Sequence, residues 1–406
     1  MPTAIVAQNT DVSSLIPEST SNHQITSGQT QVFGVTLKQG QCLSLSLQKK
    51  DLQLTVAIQK PQGQTAATFL SRTYGPLNVF YIAEEPGQYL IKVQSIEKEA
   101  AQNSYTLSLE KPRDASPADR THAPAAKAVN EAEWLRAQWE ETSLRKAVTN
   151  YVDASQAWQT IGLTRESARA LSSIGDIYFM LSEYEEARRW YEKALTIRQT
   201  AADTEGEADS QNDIGYMYVY IGDLDRAFEH LNRALQYTEP RAAENPRRLA
   251  ITLNNIGELY YAKSDLPQAL NYFNRALVLW TNAGDRAGQA LAYVNIGYSY
   301  YDSGNIQEAS KYYRQSLSAA QVIGDLRSEA LARTALGGVY SLSGEKQLAL
   351  DSHHEAMTAL RKLGDKLGEG AALNGIGRAY EELNQNRLAL DNYIAARDQY
   401  HRAGKS

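Results

Sequence analysis

The side chains able to do chemistry in this chain recur at a fixed spacing. Asn212, Asn254 and Asn374 each stand two residues before an Ile, and Asn255 and Asn295 stand one before it. Tyr216, Glu258 and Tyr298 follow the same Ile by two, and Phe179, Tyr261 and Tyr301 follow it by five. An amide both donates and accepts, so a row of Asn can hold the backbone of a bound peptide. Tyr, with an apolar ring and a polar tip, anchors interfaces. The chemistry to expect is recognition, with no catalysis, cofactor or metal. Cys42 is the only cysteine, which excludes an internal disulfide and a cysteine-clustered metal site. A cysteine nucleophile needs a His base, and only His23 and His122 lie near it in sequence. Cys42 therefore reads as incidental, and as outward-facing because it falls out of phase with Leu43 and Leu45. His353 and His354 are adjacent, so on a helix they point in different directions. A core or surface histidine fits better than a metal ligand. No Gly-rich phosphate loop is present, and pairs such as Glu185–Glu186 read as solvated faces.

These residues must be positioned by a repeat. The motif of Ile296-Gly297-Tyr298-Ser299-Tyr300 recurs from Ile174, Ile214, Ile256, Leu336 and Ile376, at steps of 40 or 42 residues. Self-similarity on this scale marks stacked helical units. The anchor and the Tyr four residues later share one helical face, and the Gly beside them permits close approach of a neighbouring helix. Thirteen residues past each anchor stands an Ala, then a large residue, then a small one, as in Ala309, Tyr313 and Ser316. That spacing predicts a second helix. Gly222, Gly304, Gly344, Asn384 and two Ser fall at the turn within a repeat. Gly284-Asp285, Gly324-Asp325 and Gly364-Asp365 are placed to end one helix and cap the next. Counting back 40 residues from Ile174 gives Trp134 as the anchor of a seventh, capping repeat.

The Gly, Tyr and Ala at these offsets resemble the tetratricopeptide repeat, here in long units like those of kinesin light chain and related peptide-binding scaffolds. The resemblance covers about residues 134 to 404. It implies a right-handed superhelix whose first helices line a concave groove. In the kinesin-light-chain-like scaffolds the Asn one before the anchor holds the peptide backbone, a role that carries over to Asn255 and Asn295.

Residues 29–111 change to period 2. Phe33, Val35 and Leu37, then Leu43, Leu45 and Leu47, then Leu52, Leu54, Val56 and Ile58, and later Tyr89, Ile91 and Val93 alternate with polar residues. Short alternating runs broken by Gly and Pro predict a small antiparallel β-sandwich or jelly roll. The segments Leu37–Gln41, Glu85–Tyr89 and Asn103–Leu107 resemble the prepeptidase C-terminal type of β-domain, an accessory module of secreted bacterial proteins. This implies an extracytoplasmic location. Residues 1–28 read as a flexible lead-in, with Met1 to Gln8 in the form of the tail of a signal peptide. Residues 112–129 read as a Pro/Ala linker, and 130–404 as an array of about seven repeats. The expected fold is therefore α+β and multidomain.

Net charge is −6, and residues 1–111 carry eight charges of each sign, so the excess acid lies in the repeats. An acidic array without a basic stripe argues against a nucleic-acid partner. No apolar run approaches the ~20 residues a membrane-spanning helix needs. The leading expectation is a non-enzymatic scaffold that binds a protein or peptide segment at Asn212, Tyr216, Asn254, Asn255, Glu258, Tyr261, Asn295, Tyr298, Tyr301 and Asn374. Two alternatives stand beside it. The order of β-domain, linker and array resembles the N-terminal part of bacterial proteins ending in a caspase-like CHAT protease domain, which implies a regulatory region. The other is carbohydrate or surface binding by the β-domain. Gly404 falls at a repeat boundary, so the last repeat is expected to be covered by a further helix, a partner or self-association.

Overall fold

The computed structural model describes residues 12–49, 53–71, 76–96 and 103–402. The expected signal-peptide tail, Leu52 and Gly404 lie outside the described residues. The chain divides into two units, residues 1–130 and 131–406.

Among its described residues the first unit holds ten short strands: β1 (Val12–Ser14), β2 (Ser19–Ile25), β3 (Thr30–Leu37), β4 (Gln41–Lys49), β5 (Leu54–Gln59), β6 (Thr65–Ser71), β7 (Leu77–Ile82), β8 (Gly87–Ser95), β9 (Asn103–Leu109) and β10 (Arg113–Asp114). They form two sheets, β1–β3–β8–β5–β6 and β10–β4–β9–β2, with β7 also paired to β4. The period-2 residues of both sheets meet in one core: Leu43, Leu45 and Leu47, Leu54, Val56 and Ile58, Tyr89, Ile91 and Val93, Tyr105, Leu107 and Leu109.

Three expectations here are corrected. The lead-in is partly strand: β1 pairs with β3 in parallel, and β2 pairs with β9 along its whole length. His23 secures β2, its ring 5.2 Å from Tyr105 and 4.8 Å from Phe33. Cys42 is buried. It does face away from Leu43, but Arg113 pairs with it on β10, and the nearby Asp119 carboxyl and burial together raise its thiol pKa, burial first. The Pro/Ala segment is not an irregular linker, since helix α1 runs Pro117–Arg136. Ser116 and Asp119 cap that helix reciprocally, each backbone N–H bonded to the other's side chain. Pro117 opens it and its many Ala residues favour it.

Thirteen more helices follow among the described residues: α2 (Glu141–Thr160), α3 (Thr164–Met180), α4 (Tyr184–Thr200), α5 (Thr204–Ile221), α6 (Leu224–Thr238), α7 (Pro246–Ala262), α8 (Leu266–Ala283), α9 (Arg286–Asp302), α10 (Ile306–Ile323), α11 (Leu326–Leu342), α12 (Lys346–Leu363), α13 (Lys366–Glu382) and α14 (Asn386–Arg402). From α3 on they pack as pairs, first helix on second, in order along the chain. The turn within each pair carries a left-handed residue, Gly304 at φ 79° and Ser264, without glycine's freedom, at φ 59°. Between pairs, Gly284, Gly324 and Gly364 end helices in the left-handed region, and Asp285, Asp325 and Asp365 accept the N–H groups of the next helix.

The anchor Gly has a defined job. A Cβ on Gly297 would stand 2.4 Å from the Tyr313 ring, and on Gly257 2.5 Å from Phe273. The Gly of the first helix is thus the seat of the large residue of its own second helix. The first pair departs from the expected register. Trp134 is 60% exposed, whereas Ile174 is fully buried. Tyr151 bonds Glu133, 18 residues before it, where Tyr191 bonds Asp176, 15 before it. The left-handed turn residue Trp139 precedes Tyr151 by 12 residues, where Ser182 precedes Tyr191 by nine, so α2 starts almost one turn earlier in its repeat than α4 does. The buried face of α1 shifts back accordingly, so that Ala132 is sealed and Trp134 turned out.

Candidate functional site

First helices pack on the first helix of the next pair, α3 on α5, α5 on α7, α7 on α9, α9 on α11 and α11 on α13, whereas second helices do not do so to a comparable extent. Closer spacing of one set than the other curves a stack. The first helices therefore form the inner, concave wall of the array.

The predicted Asn residues divide by position. Asn212 donates to the Thr252 hydroxyl at 2.8 Å, across the seam from α5 to α7. Asn295 donates to Asn254 at 3.1 Å and to the Glu258 carboxylate at 2.8 Å, across the seam from α9 to α7. All three are buried, as is Asn255. These amides stitch consecutive first helices together. The second carbonyl capacity of that ladder is not filled everywhere, since Asn212 Oδ1 is buried without a partner among the described residues. Asn374 holds the same place on α13, the last first helix described, and is exposed. On α5 and α7 a residue two before the anchor faces the following first helix.

The residues two and five after the anchor converge on the inner wall. Tyr216, Glu258, Tyr261, Tyr298 and Tyr301 are all half-buried. Tyr216 packs 5.0 Å from Tyr220, their hydroxyls 3.2 Å apart, and Phe179 lies 5.6 Å and 5.0 Å from those two rings. Tyr298 meets Tyr313 edge to face at 5.5 Å. The Tyr261 hydroxyl donates to Asp302. Burial, opposed only by the Asn295 bond, pushes the Glu258 carboxyl up to about 7. Burial raises the phenols of Tyr216, Tyr220, Tyr261 and Tyr298, Tyr298 to about 12; the Glu258 charge adds to each, behind Tyr220 at Tyr216 and behind Asp302 at Tyr261.

Acid also lines the wall toward the first repeats. Asp176 is held by Arg136 at 2.9 Å and by the Tyr191 hydroxyl at 3.0 Å. Asp209 is paired with Arg248 at 2.7 Å. Burial, with the charge of Asp176 adding to it, drives the Asp213 carboxyl well above the usual range.

Two members of this site escaped the sequence-derived set. Tyr220 sits six residues after its anchor, off the repeated positions, yet completes the Phe179–Tyr216 cluster. Asp213 stands one before its anchor, where the next two repeats carry Asn255 and Asn295, so the repeat spacing marks its place.

Residues 144–239 and 248–321 match the family described as tetratricopeptide repeat. Among solved structures, a Rap protein complexed with competence and sporulation factor superposes with a TM-score of 0.56 at 16% identity, covering 69% of this chain and 76% of that one. A plasmid Rap conjugation gene regulator in complex with a Phr peptide gives 0.55 at 18% identity, covering 70% and 76%. Aspartyl phosphate phosphatase F from Bacillus subtilis gives 0.54 at 16%, covering 71% and 74%. At these identities the likeness is one of fold. No curated protein matches the chain.

Proposed function

From the match of residues 144–239 and 248–321 to the tetratricopeptide repeat family, we propose that the helical unit is a non-enzymatic scaffold whose concave wall binds a segment of another protein. The carrying observation is the group formed by Phe179, Tyr216, Tyr220, Glu258, Tyr261 and Tyr298. Rings with polar tips, partly open to solvent and gathered from consecutive first helices, give a preformed surface with little side-chain freedom left to lose on binding. The Asn ladder supports the reading indirectly, by fixing the first helices that carry the rings. The Rap regulator noted above was solved with a peptide, which accords with a groove of this kind.

Selection of a random heptapeptide display library on the intact chain tests the proposal. Tyr220 is the residue to vary, because it is 55% exposed and projects from the wall. Asn295 would be ambiguous, since it holds both Asn254 and Glu258. Peptides enriched on wild type should lose at least tenfold in affinity on Y220R, with unchanged helicity. A library that yields no enriched sequences, or peptides that bind Y220R equally well, overturns the groove reading.

A further inference from the structure

We propose that Glu258 and the tyrosines around it form a cage for the cationic side chain of a lysine or arginine in the bound segment. This rests on the groove reading above and names what the groove selects. Glu258 is positioned from α9, where Asn295 donates to its Oε1 at 2.8 Å. Tyr216 and Tyr298 hold the same repeat position as Glu258 on α5 and α9, the first helices packed on either side of α7, Tyr220 lies 5.0 Å from Tyr216, and Tyr261 stands about one turn along α7 from Glu258. Ring faces attract a cation, and a carboxylate among them fixes its place. Among the described residues no Lys or Arg pairs with Glu258, and its only polar partner is the Asn295 amide. Arg327, whose charge reaches Tyr216 and Tyr220, stacks over the Trp139 ring at 4.7 Å.

A half-buried carboxyl without a counter-charge is costly to the fold, and such groups concentrate at functional sites. An ammonium or guanidinium supplies the missing charge. A neutral side chain leaves the carboxyl as it was, and an acidic one adds repulsion. Because the carboxyl titrates near 7, a cation binds with release of a proton below that pH. The phenols around Glu258 are all raised, so none of them ionises in the range where its carboxyl changes charge. Affinity for a basic peptide should rise about tenfold across that range.

The heptapeptide selection, run in parallel on wild type and E258Q, decides the matter. Gln keeps the shape and the Asn295 bond and removes the charge. Wild type should enrich Lys or Arg at one register, and E258Q should lose that preference while keeping the others. Replacing that Lys by norleucine in a resynthesised peptide should weaken binding to wild type at least tenfold and leave binding to E258Q nearly unchanged. Enriched peptides without a basic register, or a basic register that survives E258Q, overturn the cage and leave the groove standing. Absence of enriched peptides overturns both. The thermal midpoint of E258Q at pH 8 should equal or exceed that of wild type, which shows that any loss of preference is not a loss of fold.

Discussion

At the scale of single residues, His353 is the informative departure from the repeat. The position carries Tyr191, Phe273 and Tyr313 in other pairs. Here an imidazole fills it, with Gly337 on one side and Gly375 on the other, where an added Cβ would approach it to 2.6 Å and 2.4 Å. The histidine is 4% exposed, and its Nδ1 has no partner among the described residues. Burial, with Arg378 and His354 adding to it, lowers its pKa from 6.5 to about 4. The folded state thus holds fewer protons than the unfolded one between those values. The stability tied to neutral His353 is complete above 6.5 and is lost as pH falls to 4, about 3 kcal/mol in all. Glu258 works in the opposite direction. Its raised pKa favours the fold below about 4.5, and that advantage disappears as pH rises through 7. Hydrogen exchange of α11 to α13 at pH 7.5 and pH 5 should show a strong loss of protection on acidification in wild type, and a much smaller loss in H353F. Equal losses would remove His353 as the cause. The sequence placed His353 correctly in the core pattern. It could not place the Asn residues, because positions one and two before the anchor lie where the inner wall meets the seam between repeats. Which side an amide serves there depends on whether the next helix offers it a partner, as Thr252 offers one to Asn212.

At the scale of elements, the fit of a Gly under a ring sets the distance between paired helices. Adding a methyl to Gly297 would usually help a helix, by about 1 kcal/mol of propensity. Here the methyl meets Tyr313 at 2.4 Å, Tyr313 is 1% exposed, and a packed core does not yield by such an amount. Overpacking of this kind costs about 1–3 kcal/mol. G297A should lower stability in urea unfolding, and G297A combined with Y313A should lose clearly less than the two single changes added together. Additive losses would mean that the contact does not set the helix spacing. This pairing explains why the helices were legible: Gly, Tyr and Ala recur because each first helix must seat a second one. The strands β1 and β2 were less so. Their run of Ser, Thr, Asn and Gln has few apolar residues, and β2 is joined to the core chiefly by Ile25 and by His23 against Tyr105. Helix α1 was hidden by its prolines, although Pro117 stands at a helix start, where proline is favoured. The earlier start of α2 then moved the buried face of α1 by three residues, which a fixed count from Ile174 cannot detect.

At the scale of the whole array, the stack curves until its beginning meets its later repeats. The Arg327 guanidinium, at the start of α11, lies 4.7 Å over the Trp139 ring in the connection between α1 and α2. At the end of α12, a Cβ on Gly364 would stand 3.6 Å from the Gln138 carbonyl and 3.7 Å from that of Trp139. Few residues make this contact, and an exposed cation–π pair contributes only about 0.5–1 kcal/mol. Among the described residues the extensive helix contacts lie within a pair or between successive pairs, so small shifts at every seam add up along the chain. A weak closure can thus govern a large displacement, and the inner wall with its tyrosines is what that displacement would widen. Spin labels at T142C and K362C, both exposed positions flanking the contact, would report it in a C42S background. A short distance is expected with Arg327 and Trp139 in place. R327A and W139A should each shift the distribution to longer distances, and the double variant should shift it no further than either alone, because both remove one contact. Helicity should not change in any of them. A distribution that stays short in R327A would mean that the seams between repeats, rather than the meeting of the ends, hold the curvature of the groove.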